Sequence, residues 1–491
     1  MSAVSIFKKN PLFLLLLPAF YVLHGCRINF PLVSTRDGFM LAGIYIIWSL
    51  VFMAIFRLFF RNWIKAAIAS FALMAFHLFF GSIQDGLRSA FPGLWITRYS
   101  FILPTFFLLF VWMIIVLKKR SRSLSTLTSY LNALFLLLLL IDAAWLAVKV
   151  AEAEKKQTRD NKQAVCADCK KPNIYLILLD EYAGHKELKD LFAFDNSAFE
   201  NELLKRGFHV TANTKSNYNF TPFSMASLLN MDYLQGISSK SNDIENRTIC
   251  YRTINKNNLV STLKNQGYIF SNESIFDFAG ESTRLDYGTL HLNGKRIITS
   301  QTLTGRIGKE LSFHLLSTFK MGWALKNYGD EGRKNIQAQF DNTLRLAGER
   351  PGKPRFTYTH FFMPHYPYVY DQAGNAISYD ESMMTGRKDL YIGYLQYANK
   401  LSLSLIDGIL QKDKTDPIIL LMSDHGFNKY DASAGPGYVF NNIINIRMPG
   451  QDYSGFPDSL SNVNVFRLLL NKQFNYQLPL LRDSTILLQE Y

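Results

Sequence analysis

Residues 173–184 read NIYLILLDEYAG, and this stretch decides the fold. Ile174 to Leu179 is a continuous, partly β-branched apolar run whose length suits a strand buried on both faces, as in a parallel sheet. Two acidic residues, Asp180 and Glu181, follow the run at once. The stretch therefore predicts a central strand of an α/β domain with carboxylates at its carboxyl end.

Further apolar runs recur towards the C-terminus, and amphipathic helical patterns lie between them. The runs are RFTYTHFF (355–362), PIILLMS (417–423) and NNIINIRM (441–448), and the helical patterns cover 196–207, 257–267 and 388–410. Strands that alternate with helices favour an α/β sandwich around a mostly parallel sheet. Ligands bind such sheets just beyond the carboxyl ends of the strands, so the residues that follow the runs are candidates for chemistry.

Three of these strand ends carry metal-ligand side chains. They are Asp180 and Glu181, Asp424 and His425 in SDHG (423–426), and His360 and His365 in THFFMPHYPY (359–368). Singly, each has a structural explanation: an Asp caps a helix, DHG forms a turn, and a lone His is usually a core or surface residue. Together, at one end of one sheet, they indicate a divalent-ion site, and carboxylate with imidazole suits zinc or manganese.

The stretch NFTPFSMAS (219–227) holds three hydroxyl side chains spaced three apart, Thr221, Ser224 and Ser227. Pro222 suits the first position of a helix, where its missing N–H costs nothing. The hydroxyl of Thr221 then either caps the helix or attacks a substrate. The first amides and the dipole of such a helix favour a phosphate.

The first 150 residues are dominated by Leu, Phe, Ile and Ala, whereas 151–491 resembles an ordinary soluble protein. Candidate membrane spans cover 11–26, 39–56, 64–81, 99–117 and 128–148. A bilayer core needs about 20 apolar residues, and roughly 17 is the lower limit. The first span is short and contains two prolines, so alone it suits a signal peptide; because four more spans follow, we interpret it as a retained helix.

Basic residues set the orientation of these spans. Lys and Arg concentrate before span one, between spans two and three, and between spans four and five. Since such residues lie on the cytoplasmic side, the N-terminus is predicted inside and everything after residue 148 outside. The net charge of +14 is partly this bias, and the remainder suits anionic lipid head groups. We therefore predict an integral membrane protein and no nucleic-acid partner.

The predicted domains are a five-helix transmembrane domain (1–148), a polar linker (149–172) and a catalytic domain (173–491). Cys166 and Cys169 form a CADC motif in the linker. Outside the cytoplasm a CxxC motif is a local disulfide or a redox pair, and a single one is poor evidence for zinc. A small disulfide that holds the linker in place is the simpler interpretation.

The order of these motifs resembles the alkaline phosphatase and sulfatase superfamily: strand and Asp, hydroxyl before a helix, His-rich segment, then SDHG after a late strand. Five membrane spans before such a domain resemble its membrane-anchored branch, which includes phosphoethanolamine transferases and lipoteichoic acid synthases. The similarity covers most of 173–470, and SNVNVFRLLLN (461–471) looks like the late helix of the family. It implies a bacterial inner (cytoplasmic) membrane protein with an extracytoplasmic catalytic domain.

The resemblance also implies a role for each candidate. Thr221 lies 221 − 180 = 41 residues after Asp180, the spacing of the family nucleophile. One divalent ion, Zn with Mn as the alternative, would be held by Asp180, Thr221, Asp424 and His425. His360 and His365 would contact the phosphate or protonate the leaving group. Glu181 would join or replace Asp180 as a ligand.

Two departures from the superfamily narrow the reaction. Sulfatases need a Cys or Ser that is oxidised to formylglycine, and threonine cannot become that aldehyde. The second Asp-x-x-x-His motif of two-zinc phosphatases is absent between 221 and 424. The resemblance then implies transfer of phosphoethanolamine or phosphoglycerol from a membrane phospholipid to a glycan or lipid acceptor through a phospho-threonine. The alternatives are a sulfatase-like hydrolase or phosphodiesterase that uses water, and an inactive scaffold.

Overall fold

The computed structural model describes residues 7, 10–159, 166, 168–241, 244–285, 294–311, 322–384, 386–428, 435 and 437–489. These residues fall into two compact units. The first lies within 1–160 and 289–319, and the second within 161–288 and 320–491. The predicted catalytic domain, 173–491, included residues 294–311, whereas the structure groups this segment with the apolar helices of the first unit.

Helices and strands are numbered in chain order. The helices are α1 Phe13–Ile28, α2 Thr35–Phe60, α3 Trp63–Ala90, α4 Tyr99–Lys119, α5 Ser125–Arg159, α6 His185–Phe192, α7 Ser197–Lys205, α8 Thr221–Asn230, α9 Ile244–Asn255, α10 Asn258–Asn265, α11 Arg296–Thr299, α12 Leu303–Glu310, α13 Gly322–Gly348, α14 Tyr379–Ser382, α15 Lys388–Lys412 and α16 Asn462–Phe474. The strands are β1 Ile174–Asp180, β2 His209–Val210, β3 Asn213–Lys215, β4 Ile269–Glu273, β5 Arg355–Pro364, β6 Ile418–Ser423, β7 Ile444–Arg447 and β8 Ser459–Ser461. Short 3₁₀ helices lie at Trp95–Thr97, Tyr438–Phe440 and Pro449–Gln451.

The first unit is a bundle of apolar helices. Among the described residues, α2, α3, α4 and the Ser125–Glu152 part of α5 are long and apolar enough to cross a membrane. α1 is apolar too, but its 16 residues extend only about 24 Å, against a bilayer core of about 30 Å. Four predicted spans are therefore confirmed as candidates, and the count of five is not.

α1 packs inside this bundle. Its residues Phe13, Leu17 and Tyr21 are at most 7% exposed and belong to one apolar cluster with residues of α2, α3 and α5, such as Leu41, Leu78 and Phe135. α1 is therefore packed against three other helices of the bundle.

Residues 294–311 belong to the same unit although they follow β4 in the chain. Ile298 is buried in the bundle cluster, and the hydroxyl of Tyr21 donates to its carbonyl at 2.9 Å. The N–H of Gly81 donates to the carbonyl of Gln301 at 2.8 Å, and a Cβ on Gly81 would lie 2.6 Å from that oxygen. The close approach of the two backbones therefore requires glycine at this position of α3.

The second unit is an α/β domain around a six-stranded sheet with the order β2-β7-β6-β1-β5-β4. β6, β1, β5 and β4 are parallel to one another, whereas β7 runs antiparallel to β6 and to β2. β3 and β8 form a separate parallel pair. The predicted mostly parallel sheet is confirmed, and the apolar run 441–448 contains its antiparallel strand.

Every residue of β1 is buried, as the apolar run predicted, because its side chains alternate between two cores. Ile174, Leu176 and Leu178 enter the core that α8, α9, α10 and α16 cover. Tyr175, Ile177 and Leu179 enter the core that α13 and α15 cover. The sheet is thus enclosed on both faces, and its polar residues lie at the strand ends.

Cys166 and Cys169 form a disulfide at the start of the second unit. The N–H of Cys166 donates to Oε1 of Gln266 at 3.1 Å, and Nε2 of Gln473 donates to the carbonyl of Lys170 at 2.6 Å. The disulfide loop is thereby held on the surface of the α/β domain, in line with the simpler of the two interpretations.

Candidate active site

Two neighbouring strands bring the first two candidates together. β1 and β6 pair with Leu179 opposite Ser423, so the next residues, Asp180 and Asp424, leave the sheet side by side. The backbone N–H of Glu181 donates to Oδ1 of Asp424 at 2.9 Å. Glu181 has a φ of +60°, so the chain turns sharply directly after Asp180 and keeps this carboxylate at the sheet edge.

His425 completes a compact group of possible metal ligands. One ligand atom from each of Asp180, Asp424 and His425 lies within 4.8 Å of the others, and the three residues are at most 1% exposed. Nδ1 of His425 lies 2.7 Å from the carbonyl of Gly426. Since a carbonyl only accepts, this nitrogen carries the proton, and the lone pair of the neutral ring is on Nε2.

Thr221 begins helix α8 and directs its hydroxyl at this group. Oγ1 lies 3.3 Å from Oδ1 of Asp180 and 3.3 Å from Nε2 of His425. The N-cap position of the helix is Phe220, and no side chain caps it. Pro222 is the second residue of the helix, one position later than predicted, because the helix already begins at Thr221. The structure therefore does not support the alternative in which Thr221 is a plain helix cap.

The charges of this group are unbalanced. Burial and the neighbouring Asp424 carboxylate raise the pKa of Asp180 well above its ordinary value. Burial lowers the pKa of His425, but the carboxylates of Asp424 and Asp180 raise it by more, so that the net shift is upward. Two buried carboxylates share one imidazole, which compensates at most one negative charge.

A divalent cation fits this set of donors. Oδ2 of Asp424 is buried and accepts no hydrogen bond, although Nε2 of His425 lies 3.2 Å away. A buried carboxylate oxygen without a partner is costly, and a bound cation would remove that cost. Carboxylate and hydroxyl oxygens with one imidazole nitrogen suit Zn or Mn. The residues that would hold the ion are Asp180, Thr221, Asp424 and His425.

The carboxylate of Glu181 has other partners. Oε1 accepts the N–H of Asn428 at 2.9 Å, and Oε2 lies 3.5 Å from Nε2 of His365. The His365 side chain is 16% exposed, and its ring stacks on Tyr366. Glu181 thus orients His365, which remains open to solvent, and lies outside the group of possible ligands among the described residues.

His360 lies deeper than the motif suggested. It is completely buried, with Nε2 3.0 Å from Oδ2 of Asp180 and Nδ1 2.8 Å from the hydroxyl of Tyr358. Burial lowers the pKa of His360 to about 4, so the ring is neutral near pH 7. Because His360 is buried and bonded to Asp180, its position suits a residue that supports this carboxylate better than one that contacts a substrate.

Sequence reasoning missed two polar residues that support the site. Oγ of Ser224 donates to the carbonyl of Asp424 at 2.6 Å, and Nδ2 of Asn462 donates to the same oxygen at 2.9 Å. Both residues are buried, and their bonds fix the backbone between Asp424 and His425. Ser224 is 200 residues from its partner, so no local pattern could show the contact.

Comparisons with known proteins gave matches among solved structures alone. No protein-family model matches the chain, and no curated protein matches its sequence. Among solved structures, the chain is similar to the C-terminal periplasmic domain of EcEptC from Escherichia coli, with 12% identity, 62% of this chain and 82% of that chain covered, and a TM-score of 0.38. A structure of that domain in complex with Zn matches as well, with 11% identity, 62% and 83% coverage and a TM-score of 0.38.

Two other matches are hydrolases. One is a 2-O GAG sulfatase, with 11% identity, 63% and 72% coverage and a TM-score of 0.38. The other is the phosphonate monoester hydrolase of Agrobacterium radiobacter, with 14% identity, 62% and 73% coverage and a TM-score of 0.36. The likeness is distant, so the function must be argued from the geometry of the site.

Proposed function

We propose that this protein is a membrane-bound phosphotransferase that depends on one divalent metal ion. It moves a phospho-alcohol group, phosphoethanolamine or phosphoglycerol, from a membrane phospholipid to a hydroxyl of a glycan or lipid acceptor. The group is carried in between on Thr221. The ion is Zn, with Mn as the alternative, and its ligands are Asp180, Thr221, Asp424 and His425.

One observation carries this proposal: the hydroxyl of Thr221 lies 3.3 Å from both a buried carboxylate and a buried imidazole. A hydroxyl that served only packing or helix capping would need neither partner. Because Thr221 begins α8, a phosphoryl group on its Oγ1 would also lie at the positive end of a helix.

The first step attaches the phosphoryl group to the enzyme. A bound ion would lower the pKa of the threonine hydroxyl and stabilise negative charge on the phosphoryl oxygens. Oγ1 of Thr221 forms a bond to phosphorus while the bond from phosphorus to the lipid alcohol breaks. Oδ1 of Asp180 lies 3.3 Å from the Thr221 hydroxyl and accepts its proton, because a carboxylate oxygen keeps a lone pair when it binds an ion, whereas the lone pair of His425 Nε2 would be bound to the ion. His365, oriented by Glu181, donates a proton to the leaving alcohol.

The second step passes the group on. The acceptor oxygen bonds to phosphorus, the bond to Oγ1 of Thr221 breaks, and His365 regains the proton that it gave up, here from the acceptor hydroxyl. Oγ1 of Thr221 regains the proton that Asp180 has held since the first step. Water in place of the acceptor gives the second candidate function, a sulfatase-like hydrolase or phosphodiesterase, which uses the same first step.

Two features support a catalytic domain outside the cytoplasm of a bacterium. The disulfide between Cys166 and Cys169 belongs to an oxidising compartment. The burial of α1 within the helix bundle supports a fifth crossing despite its short length. With the basic loops inside, five crossings place the second unit on the outer face of the inner membrane, where a phospholipid donor is within reach.

The proposal is tested by trapping the intermediate. Full-length protein in detergent is incubated with Zn and a phospholipid that carries labelled phosphorus in its head group, without acceptor. Label on Thr221, found by mass spectrometry and absent after chelation, is the expected result. Later addition of acceptor distinguishes transfer to the acceptor from release into water. Label on another residue, or turnover of lipid without any labelled protein, contradicts the proposal.

A further inference from the structure

The strand register places two polar side chains directly beneath Asp180. β1 and β5 pair with Leu178 opposite His360 and Leu176 opposite Tyr358. Because side chains two residues apart share one face of a sheet, Tyr358, His360 and Asp180 lie on successive rungs of the same face. The two supporting residues therefore approach the carboxylate from the core, on the side opposite to solvent.

The hydrogen bonds fix the protonation of this row. When Asp180 is ionised, as a metal ligand would be, its carboxylate accepts, so Nε2 of His360 carries the proton that is shared with Oδ2 of Asp180 at 3.0 Å. Nδ1 of the same ring then accepts from the hydroxyl of Tyr358 at 2.8 Å. The bond from Tyr358 thereby holds the His360 ring in the tautomer that donates to Asp180.

The surroundings keep this row rigid and dry. Tyr358, His360 and Asp180 each have no exposed surface. The ring of Phe276 lies 5.8 Å from that of His360, and Nε2 of Gln339 donates to the His360 carbonyl. No water can exchange for the Tyr358 or His360 bonds without opening the core.

We propose that Tyr358 and His360 are positioning residues that hold Oδ2 of Asp180 and so dedicate Oδ1 to the metal ion and Thr221. The inference rests on the proposed function, because it explains how Asp180, one of the proposed metal ligands, is held in place. Oδ1, the oxygen left outside the row, is the one that lies 3.3 Å from the Thr221 hydroxyl. Partners that hold a metal ligand in this way typically contribute about 10–100-fold to metal affinity.

A histidine at this position could instead donate a proton to the leaving group or bind the metal ion, and the geometry of His360 argues against both roles. A residue beneath Asp180 with no exposed surface cannot donate a proton to a leaving group in solvent. A ligand role for Nε2 of His360 would require breaking its bond to Asp180. The variant His360→Gln separates these roles, since the glutamine amide can replace the Nε2–H donor but is a poor metal ligand.

The experiment measures Zn affinity of the full-length protein in detergent by competition with a chromophoric chelator. Relative to wild type, we expect about 10–100-fold weaker binding for His360→Ala, a smaller loss for Tyr358→Phe, and affinity within about three-fold for His360→Gln. Thermal unfolding of each variant without metal checks that the fold is kept. If His360→Ala does not fold, the comparison of Tyr358→Phe and His360→Gln with wild type decides.

Three outcomes would overturn the inference. Wild-type affinity in both His360→Ala and Tyr358→Phe would show that the row does not position the ligand. Equal, large losses in His360→Gln and His360→Ala would make His360 a ligand itself. Absence of Zn and Mn binding by the wild-type protein would refute both the proposed function and this inference. The wild-type measurement alone reveals that outcome, so it is distinguished from a failure of the inference, which appears only in the variants.

Discussion

Each of the two units contains a cluster in which a buried carboxylate has basic side chains beside it. The two clusters differ in the number of basic side chains for each carboxylate. In the helix bundle, Asp142 is 4% exposed. One of its oxygens lies 2.6 Å from Nε of Arg27, and the other lies 2.8 Å from Nδ1 of His24. We name Asp142, Arg27 and His24 the matched cluster, because a single carboxylate has two basic side chains beside it.

At the sheet edge, Asp180 and Asp424 share His425, and we name these three residues the unmatched cluster. Both carboxylates are completely buried, and Oδ2 of Asp424 accepts no hydrogen bond. Removing a charge from water is costly unless a partner compensates it. The comparison indicates that the charges of the matched cluster are compensated within the protein, whereas the unmatched cluster has the charge that suits a cation, as the proposed function requires.

The largest expected effect is loss of turnover in Thr221→Ala. Without the hydroxyl no phospho-enzyme forms, and we expect transfer of the phospholipid head group to fall by at least about 10³-fold. Thr221→Ser keeps a hydroxyl on the same helix start and should retain activity within about ten-fold of wild type. Head-group transfer to the acceptor, measured with labelled lipid, checks both. Comparable activity in the alanine and serine variants would remove Thr221 from the mechanism.

The variant Asp424→Asn tests the proposed cation site directly. We expect metal affinity to fall by more than about 100-fold, beyond the loss of an outer-sphere partner. The metal-free variant should nevertheless unfold at the same temperature as metal-free wild type or higher, because one of two repelling carboxylates is gone. Chelator competition and thermal unfolding measure the two quantities. A strongly destabilised metal-free variant would show that the unmatched cluster is in fact compensated.

The effect of pH follows from the raised pKa of Asp180. The folded, metal-free protein holds its proton to higher pH than the unfolded chain, so its stability falls as pH rises from about 4 through the raised pKa. A bound ion takes the place of the proton on Asp180, so the metal-bound protein does not lose this stability as the pH rises. The rise in unfolding temperature on adding Zn should therefore be larger at pH 8 than at pH 5. A gain that is independent of pH would contradict the assignment of Asp180 as a ligand.

Asp142→Asn tests the matched cluster, where the expected sign for stability is reversed. Loss of the carboxylate leaves Arg27 and His24 without their partner, and we expect a loss of about 1–3 kcal/mol, because both are partly exposed. Thermal unfolding in detergent is the measurement, and Zn affinity should not change. Asp389→Asn, in an exposed ion pair with Arg387, is the control and should cost less than about 0.5 kcal/mol.

The smallest expected effect comes from Ser224→Ala. It removes one hydrogen bond to the Asp424 carbonyl, worth about 1 kcal/mol, and we expect Zn affinity to fall by about five-fold. Ser227→Ala is the matched control on the same helix, since its hydroxyl donates to the carbonyl of Asp232 at 2.8 Å. Equal changes in Zn affinity in the two variants would show that the effect belongs to the helix and not to the site.

Much of the fold could be predicted because its central strands are continuous apolar runs. β1, β5 and β6 were found in this way, and the group Asp180, Asp424 and His425 followed from the rule that parallel strands end at one edge. β4 and α13 were missed, since Ile269–Glu273 is short and ends in polar residues and Gly322–Gly348 is polar on average. The antiparallel direction of β7 likewise cannot be read from its run.

The role of His360 shows where sequence reasoning ends. The spacing between His360 and His365 is a local property, but their separate places depend on the register of β5 against β1. A shift of one residue would turn His360 to the other face of the sheet. Register and tertiary contacts, such as that of Ser224 with Asp424, are set by the packing of distant segments and leave no local pattern.

The placement of residues 294–311 has a practical consequence for preparing a soluble catalytic fragment. A truncation that begins at residue 173 would remove helices α1–α5 but keep this segment, and Ile298 is 3% exposed because those helices cover it. The fragment would present a new apolar patch to water, and such patches promote aggregation. Excision of 289–319 together with the N-terminal helices should give the better-behaved material.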